Sequence, residues 1–156
     1  MNKNDDKIEP FAAWRAVLLA QSKAMRAIER DLEAGGQISI MWYDVLLELN
    51  AAADRCLRMQ DLAMKAVLSR TRVSRIVTEL EAAGLVERIA DTADGRATLA
   101  HITSDGRRAL KRAAPVYLAG IDEHFTRHLT SAEQHTIVNG LQRIIDSHDA
   151  QLDPRR

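Results

Sequence analysis

The sequence predicts a mainly α-helical protein with one small β-hairpin, and three patterns in the chain indicate this fold class. First, apolar residues recur at spacings of three and four between positions 11 and 32, the pattern of one long amphipathic helix. Second, two short strand-like segments, 85–89 and 97–102, flank the stretch 91–96, whose Asp-Gly pair is typical of a tight turn. Third, Thr130 and Glu133 have the spacing of a capping box at the start of a final helix.

The N-terminal part is predicted to form two helices. Pro10 is tolerated in the first turn of a helix, and Gly35 and Gly36 can end that helix with a left-handed C-cap. Its seam comprises Phe11, Trp14, Leu18, Gln21, Met25, Ile28 and Leu32. A seam this long needs a long partner, and in a chain this short we expect a second subunit to supply it. Ser39 can cap the second helix, and residues 51–58 are predicted as a loop or a weak helical extension. The buried face of the second helix is predicted to comprise Trp42, Val45, Leu46 and Leu49.

The central part is predicted as a short helix, a turn and a second helix, followed by the hairpin. Ser69 or Thr71 can cap the second of these helices, and Gly84 can end it. The inward-facing residues of the pair are Leu62, Ala63, Ala66, Val73, Ile76, Val77 and Leu80. After the hairpin, Thr103 can cap a long helix, which Pro115 is expected to bend or interrupt.

Composition excludes several classes of protein. The chain has 156 residues, 28% of them charged and 46% hydrophobic, and none of its apolar runs approaches the ~20 residues that span a bilayer. The first nine residues are polar and lack the apolar core of a signal peptide, and the single cysteine, Cys56, fits a reducing cytoplasm. The five histidines are dispersed, and no nucleophile motif, phosphate loop or paired-carboxylate signature is present, so neither an enzyme nor a resident cofactor is expected.

Positive charge is concentrated in one short segment of an otherwise balanced chain. Lysine and arginine total 22, as do aspartate and glutamate, yet residues 65–78 contain Lys65, Arg70, Arg72 and Arg75 and no acidic residue. A neutral protein that concentrates cations at the start of one helix is expected to meet phosphates there. Because an α-helix fits the major groove of DNA, its arginines and short hydroxyl donors can contact base edges and phosphates. The predicted DNA-binding residues on this helix are Ser69, Arg70, Thr71, Arg72, Ser74, Arg75 and Thr78.

Taken alone, these arginines could equally be an ordinary solvated helix face. The hairpin that follows directly favours the DNA interpretation, because a helix, a turn, a basic helix and a wing form a winged helix-turn-helix. Arg96, at the base of the hairpin, is predicted to enter the minor groove. A winged-helix module that binds proteins rather than DNA is the alternative from another functional class.

Several motifs in this region resemble the MarR family of bacterial regulators. They are the runs 57–63, 68–70, 73–77 and 80–86, together with Asp94, Arg96, Leu99, Thr103 and Gly106 around the wing. The resemblance extends from about Trp14 to Ile145 and implies a homodimer built by helices in 10–36 and 104–148. It also implies a DNA-binding lobe at 37–103 and a palindromic operator, and the polar ends of the chain, 1–9 and 149–156, are expected to be flexible. Many members carry basic residues at the wing tip, where this chain has Thr92 and Ala93.

Members of the family are commonly released from DNA by a small aromatic or phenolic anion, so the resemblance implies a repressor with such an effector. The candidate effector-binding residues are Trp14, Trp42, Tyr43, Asp44 and Arg88. Aromatic rings with a polar neighbour suit a ligand pocket, although the two tryptophans could equally be core residues. His124 and His128 have metal-ligand spacing, which leaves a metal-sensing regulator as an alternative, but further ligands are not evident and no metal site is predicted. Cys56 does not occupy the position used by peroxide-sensing members.

Overall fold

The computed structural model describes residues 9–91 and 97–152, and helices dominate it. The helices are α1 (Pro10–Ala34), α2 (Ile40–Ala51), α3 (Met59–Lys65), α4 (Arg70–Ala82), α5 (Ser104–His124) and α6 (Ser131–Leu152). The strands are β1 (Cys56–Arg58), β2 (Val86–Ala90) and β3 (Thr98–Ile102), and single 3-10 turns occupy Ala53–Arg55 and Thr126–His128. A mainly helical fold with a small antiparallel sheet was the predicted class, and the structure confirms it.

The helix termini described here lie where the sequence predicts, because the expected capping contacts form at them. Gly36 has φ +62°, and the backbone N–H of Gln37 donates to the Leu32 carbonyl at 2.8 Å, which closes α1. Ser39 caps α2 by accepting the Trp42 backbone N–H at 3.3 Å. Ser69, rather than Thr71, caps α4. The capping box of α6 is formed by Thr130 and Glu133, each accepting the other's backbone N–H.

The segment 51–58 differs from its prediction as a loop or weak helical extension. After α2 ends, Asp54 and Arg55 adopt positive φ angles of 54° and 57°, and the chain turns into β1. This strand pairs antiparallel with β3, Cys56 opposite His101, so the sheet has three strands in the order β1-β3-β2. Three residues are too few to show strand periodicity. The strand exists because the second edge of β3 offers backbone partners, which local sequence does not reveal.

Helix α5 continues through Pro115, so the predicted interruption does not occur. Proline removes one backbone N–H, and the carbonyl four residues earlier, that of Lys111, loses its usual donor. Both residues are exposed, so solvent can satisfy this carbonyl.

One hydrophobic core joins α1, α2, α3, α4, the sheet and α5. Its fully buried side chains include Leu32, Leu46, Leu49, Leu62, Ile76, Leu80 and Ile102. Part of α1 stays outside this core, because residues 11–21 are all exposed in the single chain. Within the described ranges, the helices are each too short or too polar to cross a membrane.

Candidate nucleic-acid interface

Helix α4 has one face in the core and one in solvent. Val73, Ile76, Val77 and Leu80 are the inward residues, each no more than 1% exposed. Since these positions repeat at three and four residues, the remaining positions of the helix must point outward. The structure brings the following predicted DNA-binding residues together on this exposed face and its cap: Ser69, Arg70, Thr71, Arg72, Ser74, Arg75 and Thr78.

The three arginines of this face differ in their surroundings. The guanidinium of Arg70 has no hydrogen-bond or ion-pair partner within residues 9–91 and 97–152. A terminal nitrogen of Arg72 lies 3.0 Å from Met41 Sδ, a weak acceptor. Arg75 donates through Nε to Glu79 Oε1 at 3.1 Å, one turn further along the helix. All three side chains are exposed, so each can reach a ligand in front of α4.

Thr78 has a different environment from the other hydroxyl residues. Its Oγ1 donates to the Ser74 carbonyl at 2.9 Å and accepts from Arg88 Nη2 at 2.9 Å. Arg88 belongs to β2 and also forms an ion pair with Glu81 of α4. This arginine therefore ties β2, the first strand of the hairpin, to α4. Arg88 is also one of the predicted effector-binding residues, and its side-chain hydrogen bonds within the described residues all go to α4.

The base of the wing is joined to α3 by an ion pair that the sequence did not suggest. Arg58, the residue before α3, donates through Nε to Asp91 Oδ2 at 2.8 Å, and Asp91 is only 7% exposed. A charged hydrogen bond with one buried partner is stronger than a surface pair. Arg96, the predicted minor-groove contact, lies outside the described residues, as do Thr92, Ala93 and Asp94.

The C-terminal end of α4 is fitted tightly against the start of α5. Thr103 donates its backbone N–H to the Leu85 carbonyl at 3.1 Å and its hydroxyl to the Gly84 carbonyl at 2.8 Å. The same hydroxyl accepts the Gly106 backbone N–H at 3.0 Å and so caps α5. A Cβ at Gly106 would lie 2.1 Å from the Leu85 carbonyl oxygen, which explains the glycine at this position.

The effector-binding candidates do not form one cluster. Tyr43 is buried and stacks on Tyr117 of α5, with ring centroids 4.3 Å apart. Its neighbour Asp44 is half-buried. Burial raises the pKa of the Asp44 carboxyl, and the charges of Glu48 and Glu29 raise it further.

The two tryptophans lie in different surroundings from Tyr43. Trp42 turns towards α4 and donates its indole N–H to Glu79 Oε2 at 3.3 Å. Trp14 is 63% exposed on the N-terminal half of α1, and its ring does not belong to the core of the single chain. The predicted effector set therefore divides into an exposed indole on α1, a tyrosine-carboxylate group, and two residues that contact α4.

An open apolar groove of about 1060 Å³ lies between α1, the end of α5 and α6. Its walls include Val17, Ala20, Ile28, Phe125, Leu141 and Ile144. At its rim, His124 Nε2 lies 2.7 Å from Asp31 Oδ2, and His128 Nε2 lies 3.0 Å from the Glu123 carbonyl. No group of three histidine, cysteine or acidic residues that could hold a metal ion occurs in the described part of the chain.

The sequence reasoning missed four residues of this interface. Met41 and Glu79 contact the predicted arginines, and Arg58 and Asp91 join the wing to α3. Only Glu79 had a local signal, since it follows Arg75 by four residues, the spacing of a helical ion pair.

Comparisons with known proteins agree with this geometry. The MarR family model matches residues 37–97, a range that includes α2, β1, α3, α4 and β2. The HTH-type transcriptional regulator PrsX of Escherichia coli is 32% identical over 130 residues, covering 80% of this chain and 78% of that protein. Two crystal structures from Streptomyces coelicolor are similar, and both are MarR family regulators. AbsC has a TM-score of 0.80 at 28% identity, covering 88% of this chain and 93% of its own. Sco3205, solved in complex with DNA, has a TM-score of 0.79 at 27% identity, covering 99% of this chain and 95% of its own.

These relatives are transcriptional regulators and not enzymes, as the sequence predicted. The relative PrsX exceeds 30% identity over more than three quarters of its length, and the family model coincides with the winged helix-turn-helix described above. The chain belongs to the MarR family of transcriptional regulators.

Proposed function

We propose that this regulator reads a palindromic operator as a homodimer, with α4 of each subunit in a major groove, and that it represses transcription in the cytoplasm. The base- and phosphate-contacting residues would be Ser69, Arg70, Thr71, Arg72, Ser74, Arg75 and Thr78, with Arg96 of the wing reaching the minor groove. The observation that carries the proposal is the exposed face of α4, where three arginines and no acidic residue occur from the Ser69 cap to Thr78.

The net charge of zero makes that face important. A neutral protein has little general attraction for nucleic acid, so affinity must come from local contacts. Arginine can form two parallel hydrogen bonds with guanine, and each such pair is worth about 1–3 kcal/mol of discrimination. Duplicating the face in a dimer would double this contribution over two half-sites, about 34 Å apart centre to centre.

Exposed apolar residues at both ends of the chain support the dimer. Phe11 and Trp14 of α1 are 77% and 63% exposed, and Val138 and Ile144 of α6 are 63% and 55% exposed. Together with the apolar groove they form a surface that a single chain leaves in water. We propose that residues 10–36 and 104–148 of two subunits bury this apolar surface against each other, and that residues 37–103 form the DNA-binding lobe.

The experiment is binding to the DNA upstream of the chain's own gene at two salt concentrations. We expect sequence-selective binding whose affinity falls as salt rises, because phosphate contacts release counterions. Arg75→Ala should weaken operator binding roughly 5- to 150-fold per half-site, and Arg72→Ala should weaken it as well. Arg127→Ala is the matched control, since this exposed arginine lies outside α4, in the 3-10 turn after α5, and pairs with Glu123. The proposal fails if binding shows no sequence selectivity, or if both α4 variants bind like the control.

We also propose that a small aromatic anion releases the regulator from DNA. An anion beside Asp44 would meet the charges of Glu29 and Glu48 as well, so we expect it on the Trp14 side of the dimer surface. Titration with aromatic acids should change tryptophan fluorescence and weaken DNA binding. Trp14→Phe should abolish the release, and Asp44→Asn should preserve it. The reverse pattern would contradict this assignment.

A further inference from the structure

Glu79 connects a predicted DNA-contacting arginine to a tryptophan on another helix. Its Oε1 accepts from Arg75 Nε at 3.1 Å, and its Oε2 accepts from the indole Nε1 of Trp42 at 3.3 Å. A carboxylate on a face that meets phosphates would repel them, so Glu79 has an electrostatic cost for DNA binding. The two hydrogen bonds that Glu79 accepts indicate a role that offsets this electrostatic cost.

The bond to Glu79 uses only the inner nitrogen of the Arg75 guanidinium. Its two terminal nitrogens have no partner within residues 9–91 and 97–152, and the side chain is 76% exposed. Because the guanidinium is planar, fixing Nε also fixes the plane in which the terminal nitrogens point. The group is thus oriented while its outer donors stay available for a base edge.

We propose that Glu79 is a positioning residue that orients Arg75 for base reading, and that the Trp42 indole holds Glu79 in place. The proposal deepens the function proposed above and rests on it. A long side chain held in one orientation before binding loses less conformational entropy when it forms its contacts. The negative charge of Glu79 also lowers affinity for DNA of any sequence. The orientation of Arg75 raises the ratio of specific to non-specific affinity, whereas the uniform repulsion leaves that ratio unchanged.

The other two arginines of α4 lack such a partner. Arg70 has none within the described residues, and Arg72 contacts only the weakly accepting sulfur of Met41. Unoriented arginines suit phosphate contacts, which tolerate many geometries and carry no sequence information. We therefore assign sequence reading chiefly to Arg75.

The test is Glu79→Gln, measured with an operator selected by the wild-type protein from random duplexes. The two N–H donors bond to different oxygens of the carboxylate; in the variant one of these atoms becomes an NH2 group, which cannot accept, so one donor loses its partner in this geometry. We expect the ratio of operator affinity to random-sequence affinity to fall roughly tenfold, the loss arising at one base pair per half-site. Affinity for random DNA should stay the same or rise. Trp42→Phe keeps the ring and removes the donor, and it should give a smaller fall in the same ratio.

A matched control separates the orientation of Arg75 from the loss of a carboxylate and from general damage. Glu87→Gln removes a carboxylate from the same lobe, where its partner is His101 of β3, and it should leave the ratio unchanged.

The outcomes distinguish this inference from the function on which it rests. If the wild type selects no sequence, the proposed function itself fails. If the wild type selects a sequence and Glu79→Gln retains the wild-type ratio, the positioning role is refuted. An equal loss of operator and random-sequence affinity would also refute it, because that pattern indicates structural damage.

Discussion

Gly106→Ala tests how tightly the DNA lobe is fitted to the long helix α5. The added methyl would meet the Leu85 carbonyl oxygen at 2.1 Å and Ile102 Cγ1 at 2.8 Å. The Ile102 side chain can turn away. The Leu85 carbonyl cannot, because hydrogen bonds hold both the N–H and the carbonyl of Leu85. Leu85 donates its N–H to the Leu80 carbonyl at 2.9 Å, and its own carbonyl accepts from Thr103 at 3.1 Å. The start of α5 must therefore move away from the end of α4.

Three contributions determine the magnitude. Overpacking against backbone costs about 1–3 kcal/mol. Moving α5 would stretch the two hydrogen bonds that Thr103 makes to Gly84 and Leu85, each worth about 1 kcal/mol. Replacing glycine by alanine inside a helix raises its stability by at most about 1 kcal/mol, which offsets part of these losses. The expected loss in the free energy of unfolding is roughly 2–4 kcal/mol, which lowers the melting temperature by roughly 4–16 °C for a chain of this size.

The assay is urea and thermal unfolding followed by circular dichroism at matched protein concentration. Gly140→Ala is the control, because it is the same substitution in α6, where the nearest atom to the new methyl is Arg143 Nη2 at 4.0 Å. The control should be as stable as the wild type or slightly more stable. Equal stability of the two variants would refute the close approach between α4 and α5.

Three further predictions concern single side chains. Val67→Gly should stabilise the protein by about 1 kcal/mol in urea unfolding, because Val67 is 89% exposed at φ +54°, where a branched residue is strained; a loss of stability would contradict this. Thr78→Val should lower the free energy of unfolding by about 1 kcal/mol in urea unfolding, because it removes the hydroxyl that accepts from Arg88, whereas Thr78→Ser keeps that hydroxyl and should lose little. Equal losses for the two variants would exclude the contact. Asp44→Asn should raise stability at neutral pH, because burial raises the pKa of this carboxyl and disfavours its ionised form in the folded state. The gain should shrink as pH falls through the raised pKa and vanish below the ordinary value of 3.8; a gain that persists at lower pH would argue against burial as its cause.

Most of the fold follows from local patterns in the sequence. Helix ends were predicted from Gly36, Ser39 and Thr130, whose conformations and caps act within a few residues. The buried face of α4 followed from helical periodicity alone. These features were predictable because their physical causes lie close together along the chain.

The parts that were missed depend on residues far apart in sequence. Strand β1 forms only because β3, more than forty positions later, leaves an edge for Cys56 to Arg58. The contact between Trp42 and Glu79 spans 37 positions, and the pair of Arg58 with Asp91 spans 33. The apolar periodicity of one helix does not indicate which residue of another helix will contact it. For the same reason the sequence did not show that Trp14, Trp42 and Tyr43 have different surroundings in the single chain.

The contacts around α4 also restrict how an effector can act. Arg88 ties the wing to this helix, and Thr103 ties the start of α5 to its far end. A helix held at both places cannot tilt alone without breaking hydrogen bonds to its own lobe. In a dimer built as proposed, an effector would therefore change the distance between two intact lobes by moving α5, and not the shape of either reading face. Release from DNA would then follow from preferential binding of the effector to a dimer whose lobe spacing does not match the operator.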